Sequence, residues 1–237
     1  MRKTFLIAGV AAFALGTTGV AIAQTPAPEV TVSAKLSPSK AGTKAKPKSA
    51  KLKLAINNNK DSKTTAKQIK ITLPKTVKLS TKGLDVCTAS DDKLLEGPKK
   101  ACPKAIVGKG TADAFVNPFA DSPAPLHFTL TPLAGKNELI FVLDSPVADA
   151  VLRAKIKGST LTINIPDFLQ MPAPNTYSAL EKIETTLSKK KGKHSLLSTV
   201  GCKGGKHTTK VTVAYAPNPN PPVAGSATGS GSSKCSK

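Results

Sequence analysis

From residue 29 onward apolar and polar positions alternate in short runs, the period-two pattern of strands that bury one face. Residues 29–36 set it with Val30, Val32, Ala34 and Leu36. Residues 49–56 and 66–73 repeat it, placing Leu52, Leu54 and Ile56, then Ile69, Ile71 and Leu73, on one face, with Lys51, Lys53, Lys67 and Lys70 off it. Asn57 to Ser62 supplies the turn between those two runs. Residues 111–116 read as a further strand, and 126–133 with 138–143 as a hairpin around Ala-Gly-Lys-Asn.

The next hairpin predicts its own register. A two-residue turn at Gly158-Ser159 sets Ile156 opposite Leu161, Ala154 opposite Ile163 and Leu152 opposite Ile165. Lys155 then meets Thr162 and Arg153 meets Asn164 on the other face, and Pro166 ends the second strand. Residues 207–215 form the last convincing strand, with Thr209, Val211, Val213 and Tyr215 on one side.

Residues 175–191 carry two patterns. Ser178 with Glu181 fits a capping box and Leu180, Ile183 and Leu187 a helical stripe, whereas Ile183, Thr185 and Leu187 also alternate. The expectation is a short helical turn followed by strand. Residues 37–48, SPSKAGTKAKPK, read as a solvated loop and 189–194 as a basic turn. From Pro217 the chain is rich in Pro, Gly, Ser and Asn and is expected to be flexible until Cys235 ties it back. Roughly nine to eleven short strands predict an all-β fold, a β-sandwich of immunoglobulin-like or jelly-roll type.

Residues 1–23 have the three parts of a secretory signal: Arg2 and Lys3, an apolar run from Phe5 to Val20, and Ala21-Ile22-Ala23 before Gln24. That predicts a domain at 24–215 and a tail at 216–237, in a secreted chain with no membrane span after cleavage. In such a chain Cys87, Cys102, Cys202 and Cys235 read as two disulfides. Three pairings exist; Cys87 with Cys102 and Cys202 with Cys235 close local loops around turn-forming residues and are favoured. A loop of about 15 residues contributes roughly 3 kcal/mol by chain entropy. Cys202 and His207 match no common zinc spacing, so neither metal nor cofactor is expected.

The formal charge of +21 becomes +19 once Arg2 and Lys3 leave, and Arg153 is the remaining arginine. A lysine coat lacks the planar fork that reads bases, which disfavours sequence-specific nucleic-acid binding but suits diffuse attraction to anionic polymers. The candidate residues are Lys40, Lys44, Lys46 and Lys48 in the first loop and Lys189, Lys190, Lys191 and Lys193 in the later turn. The same lysines also serve solubility. Gly108-Lys109-Gly110 has no third glycine and no helix after it, so it reads as a bulge or a tight backbone approach, not a phosphate loop.

No catalytic motif is present, neither Gly-x-Ser-x-Gly nor His-Glu-x-x-His. A hydrolase would require His127, His194 or His207 to meet a carboxylate and a hydroxyl across distant parts of the chain. A carbohydrate-binding module would have Tyr177 and Tyr215 alone to stack on sugars.

The stretch CTAS, Gly97-Pro98 and then CPKAIVGKGTA, with Ile165-Pro166, Leu169, Pro172, Cys202 and the strand ending at Tyr215, resembles a group of uncharacterised secreted actinobacterial proteins. Lys203-Gly-Gly-Lys206 stands where that group commonly has a tryptophan after the third cysteine. The resemblance implies an exported β-sandwich and brings no catalytic residues. Together these readings predict a secreted, non-enzymatic cell-envelope or extracellular-matrix protein that associates with anionic surface polymers.

Overall fold

The computed structural model describes residues 28–58, 63–117, 122–219 and 222–237. The expected signal at residues 1–23 lies outside them. In chain order the strands are β1 (Val30–Ser37), β2 (Lys48–Ser49), β3 (Lys51–Asn58), β4 (Ala66–Thr72), β5 (Val77–Leu79), β6 (Gly108–Val116), β7 (Ala124–Gly135) and β8 (Glu138–Asp144). They continue as β9 (Ala150–Lys157), β10 (Thr160–Asn164), β11 (Ser178–Leu187), β12 (Lys190–Lys191), β13 (His194–Ser195), β14 (Leu197–Thr199), β15 (Lys206–Pro219) and β16 (Pro222–Lys234). Short helices α1 (Asp91–Leu95), α2 (Pro98–Ala101) and α3 (Asp167–Gln170) sit in two of the connections.

Hydrogen bonding joins eleven strands into one antiparallel sheet, in the order β1-β3-β11-β6-β7-β8-β9-β10-β4-β15-β16. Where the sequence predicts two packed sheets, a single sheet curls until its two edges meet, which makes the fold nearly a barrel. The edges meet by packing. A Cβ on Gly229 would lie 2.1 Å from the Val30 carbonyl oxygen and one on Gly231 2.6 Å from that of Val32, so β16 is glycine where β1 presses on it. The Leu36 N–H donates to Ser233 Oγ (3.2 Å), and a parallel bridge between Lys40 and Ser236 finishes the seam.

The predicted β9–β10 register is observed next to the turn, with Ile156 opposite Leu161, Lys155 opposite Thr162 and Ala154 opposite Ile163, and the pairing ends there, short of the expected Arg153–Asn164 and Leu152–Ile165 pairs. Gly158 supplies the positive φ of +62° in that turn. Inward positions of β3, β4 and β15, including Leu52, Ile56, Ile69 and Val211, are almost fully buried, as the alternation requires.

The pairings Cys87–Cys102 and Cys202–Cys235 are both formed. The first holds α1 and α2 against the outer face of the sheet. There Cys87, Leu94 and Ala105 cover Leu133, Ile140 and Val142 in a small second core. This explains the unbroken apolar run Leu139 to Leu143: β8 is buried on both faces. Arg153, on β9, fastens the same loop by donating to Asp91 (2.6 Å) and Glu138 (2.7 Å), and these bonds raise its pKa above the ordinary value.

Two further expectations need correction. Residues 216–237 were expected as a flexible tail, yet β15 continues to Pro219 and residues 222–234 form β16, paired along β15 from Lys206↔Lys234 to Pro219↔Pro222. Small residues are required there because β1 lies so close. Second, Ser178 begins β11 and not a helical turn. It donates to the Leu169 carbonyl, and the strand is bonded on both sides, to β3 and β6. A register shift between Leu180 and Lys182 adds one residue, so Leu180 and Ile183 share the inner face three positions apart. That bulge is what resembles a helical stripe.

Candidate functional site

Antiparallel pairing fixes which connections emerge together. The Ser37 end of β1 pairs with the Lys51 end of β3, and Leu187 at the end of β11 pairs with both Leu52 and Gly108. Connections 38–50, 73–107 and 188–205 therefore leave the sheet at one end. The first holds four lysines and no carboxylate, the third five lysines and no carboxylate, and the second seven lysines against four carboxylates. At the opposite end, connections 117–123, 145–149 and 165–177 hold one aspartate each and no lysine, and 59–65 holds two lysines and one aspartate. The molecule is thus strongly polarised in charge.

A three-stranded sheet, β2-β14-β5, builds the lysine-rich end. Its Val77, Leu79 and Leu197 join the main core, so the loops stand on a packed base. Lys48 pairs directly with Thr199 on β14, which fastens the first lysine loop to the later one. The first loop is itself braced: the Thr43 N–H donates to the Lys46 carbonyl (3.0 Å), the Lys46 N–H to Thr43 Oγ1 (3.0 Å), and the Gly42 N–H to Thr199 Oγ1 (3.1 Å). Lys40, Lys44, Lys46 and Lys48 all project into solvent.

Lys190 and Lys191 pair with Ser195 and His194 in a tight hairpin, β12–β13, with Lys190, Lys191 and Lys193 exposed and Lys189 half-buried. Lys191 differs from its neighbours. Its ammonium donates to Asp85, and this bond holds the Asp85 carboxyl below the ordinary carboxylate value. Lys191 therefore fastens the hairpin to the disulfide loop, and its charge is already partly matched.

A row of lysines, marked by no run in the sequence, also crosses the outer face. Lys35 pairs with Lys53, Lys53 with Thr186, and Thr186 with Lys109, across β1, β3, β11 and β6. At strand spacing, Lys35 and Lys109 stand roughly 14 Å apart. They edge a trough of about 910 Å³ with Lys99 from α2, floored by Gly108, Gly110, Thr111 and Thr129, and holding one carboxylate, Glu184. The two glycines are the tight approach expected there: a Cβ on either would meet the carbonyl oxygens of Thr186 or Glu184 within 2.2 Å. Lys206 likewise pairs with Lys234 at the basic end. Like charges directly opposite one another destabilise a sheet, and an anion lying across them would relieve that repulsion. The signal lay in register, not in any run of lysines, so only the pairing of β1 with β3 could reveal it.

The histidines occupy different environments. His127 is exposed on β7 and bonds Asp113 at 2.5 Å. His194 packs against Gly83 at the lysine end. His207 is buried, with Nδ1 at 3.1 Å from Thr76 Oγ1 and Nε2 without a partner, and burial lowers its pKa. Tyr215 is buried too; its hydroxyl donates to Asn58 Oδ1 (2.6 Å), and burial pushes its pKa up to about 12. Tyr177 is half-buried. Among the described residues no cluster of three or more His, Cys, Asp or Glu side chains is placed to hold a metal ion, and no helix is long and apolar enough to cross a membrane.

Compared with known protein families and with curated protein sequences, the chain gives no match.

Proposed function

We propose that this is an exported, non-enzymatic protein of the cell envelope or extracellular matrix that holds anionic polymers on its lysine-rich end. The observation that carries the proposal is the convergence of two loops. Lysines 40–48 and 189–193 are separated by most of the chain, yet the Lys48–Thr199 pairing brings their loops onto one braced base. The two disulfides and the resemblance to secreted actinobacterial proteins favour export. We assign the trough of Lys35, Lys53, Lys99 and Lys109 to the same surface, as the place where a linear polyanion lies against the sheet.

Attraction of this kind is long-ranged, needs no single geometry and weakens as salt screens it. If four lysines engage a flexible polyanion, counterion release predicts a loss of roughly fiftyfold in affinity between 50 and 200 mM salt. The test is titration with polyphosphate of two variants, each with lysines changed to glutamine. One carries the changes at Lys44, Lys46, Lys190 and Lys193, the other at Lys67, Lys70 and Lys210 on the β4 and β15 strands. The first should lose most of its affinity and salt dependence, and the second little of either. Equal losses in both would leave net charge, not this end of the molecule, as the cause.

A further inference from the structure

The inside of the curled sheet is not filled. A cavity of about 110 Å³ remains among the inward side chains of β3, β4 and β6 to β11, with Ile165 and Leu169 of the β10–β11 connection lining it at the end away from the lysine loops. All its lining residues are apolar except Ser178 and Thr185. Both hydroxyls already have partners: Ser178 donates to the Leu169 carbonyl and Thr185 to that of Lys109. A water held there would lack the two to four polar contacts it needs, so the cavity is dry. It is of the same order as the engineered apolar cavity of about 150 Å³ that binds benzene.

Its shape favours a chain over a ring. Leu126, Phe128 and Leu130 on β7 all line it, which spreads it over roughly 14 Å of strand and leaves it narrow. Leu126, Ile165, Leu169 and Leu180 point inward yet remain partly exposed, all toward the end opposite the lysines. Phe168, Met171 and Val147 lie exposed at that same end, 56 %, 45 % and 73 % accessible. The sequence gives the connections 59–65, 117–123, 145–149 and 165–177, which all leave the sheet at that end, four aspartates against two lysines, a net negative balance that disfavours an anionic head group.

We propose that this cavity binds the hydrocarbon tail of a singly acylated lipid with an uncharged head group, entering at the α3 end and leaving its polar head in solvent. The proposal does not rest on the lysine-rich end, from which the entrance is separated by the length of the sheet. The test is calorimetric titration of the oxidised protein with 1-acylglycerols of eight, ten and twelve carbons below their micelle concentrations, beside dodecanoate. Saturable binding of one lipid per chain is expected, tightening by about fourfold per methylene until the cavity is full. Ala114→Leu, which fills the cavity, should weaken binding by about tenfold or more and leave polyphosphate binding unchanged. Should that variant not fold, Leu126→Ala enlarges the cavity and should move the preference to longer chains. The proposal is overturned if no acylglycerol binds saturably, if affinity ignores chain length, or if a folded Ala114→Leu binds as well as the parent. Dodecanoate binding as tightly at pH 7 would overturn the choice of an uncharged head.

Discussion

Replacing Gly229 by alanine tests how the sheet closes on itself. The new methyl would sit 2.1 Å from the Val30 carbonyl oxygen, 2.9 Å from Val32 Cγ2 and 3.0 Å from the Val30 carbonyl carbon, against 3.4 Å for ordinary contact. Two of these three atoms are backbone, so no rotamer change relieves the clash. One strand must retreat from the other by about 1.3 Å. Overpacking of this kind costs about 1–3 kcal/mol, and a backbone clash belongs in the upper half of that range. For a domain of this size, about 2–3 kcal/mol lowers Tm by about 4–12 °C. Ser230→Ala is the control, since Ser230 is the adjacent β16 residue and faces solvent; its change should stay within about 0.5 kcal/mol. Both are measured by urea and thermal unfolding followed by circular dichroism, with gel filtration to detect pairing of freed strand edges. If Gly229→Ala is as stable as Ser230→Ala, the seam is not closed by contact between β1 and β16, and the barrel-like description fails.

Three further outcomes follow from the core. His207 is neutral in the fold and its pKa is lowered by burial, so it favours folding fully above its unfolded value near 6.5; urea unfolding should show stability falling as pH drops below that, and His207→Phe should flatten this slope. Changing both Cys202 and Cys235 to serine frees a loop of 33 residues and should cost about 3.7 kcal/mol by chain entropy; no change in the urea midpoint would mean that the β15–β16 ladder alone fixes the C-terminus. Tyr215→Phe leaves the buried Asn58 Oδ1 without its phenol donor and should cost about 1–3 kcal/mol in the same assay, whereas an unchanged midpoint would show that another group takes over that oxygen.

Local pattern was legible in the sequence wherever one face meets the core and the other meets water. The β9–β10 register, the inward residues of β3 and β4, and both disulfides follow from alternation, turn chemistry and loop closure. What stayed hidden depends on residues distant in sequence. Ala227, Gly229, Gly231 and Ser233 alternate inward on β16, but with β1 against them they had to be small, and small residues read as a linker. Leu180 and Ile183 looked helical because a bulge separates them, and a bulge becomes visible only beside its partner strand. Lys35, Lys53 and Lys109 each looked like an ordinary solvated strand lysine; strand order alone makes them neighbours. The first lysine loop and the later one were legible as basic, while the small sheet that joins them, built on Thr199, left no pattern of its own.

The most direct test of the lysine-rich end uses the surface it is proposed to meet. Binding of the oxidised protein to cell walls isolated from the organism that makes it would be measured before and after their anionic polymers are removed, across 50 to 300 mM salt. The account predicts binding that falls steeply with salt and disappears with the polymers. Binding that survives both treatments would contradict it, because a shaped site for a neutral ligand or a protein partner would then be what holds the protein to the wall.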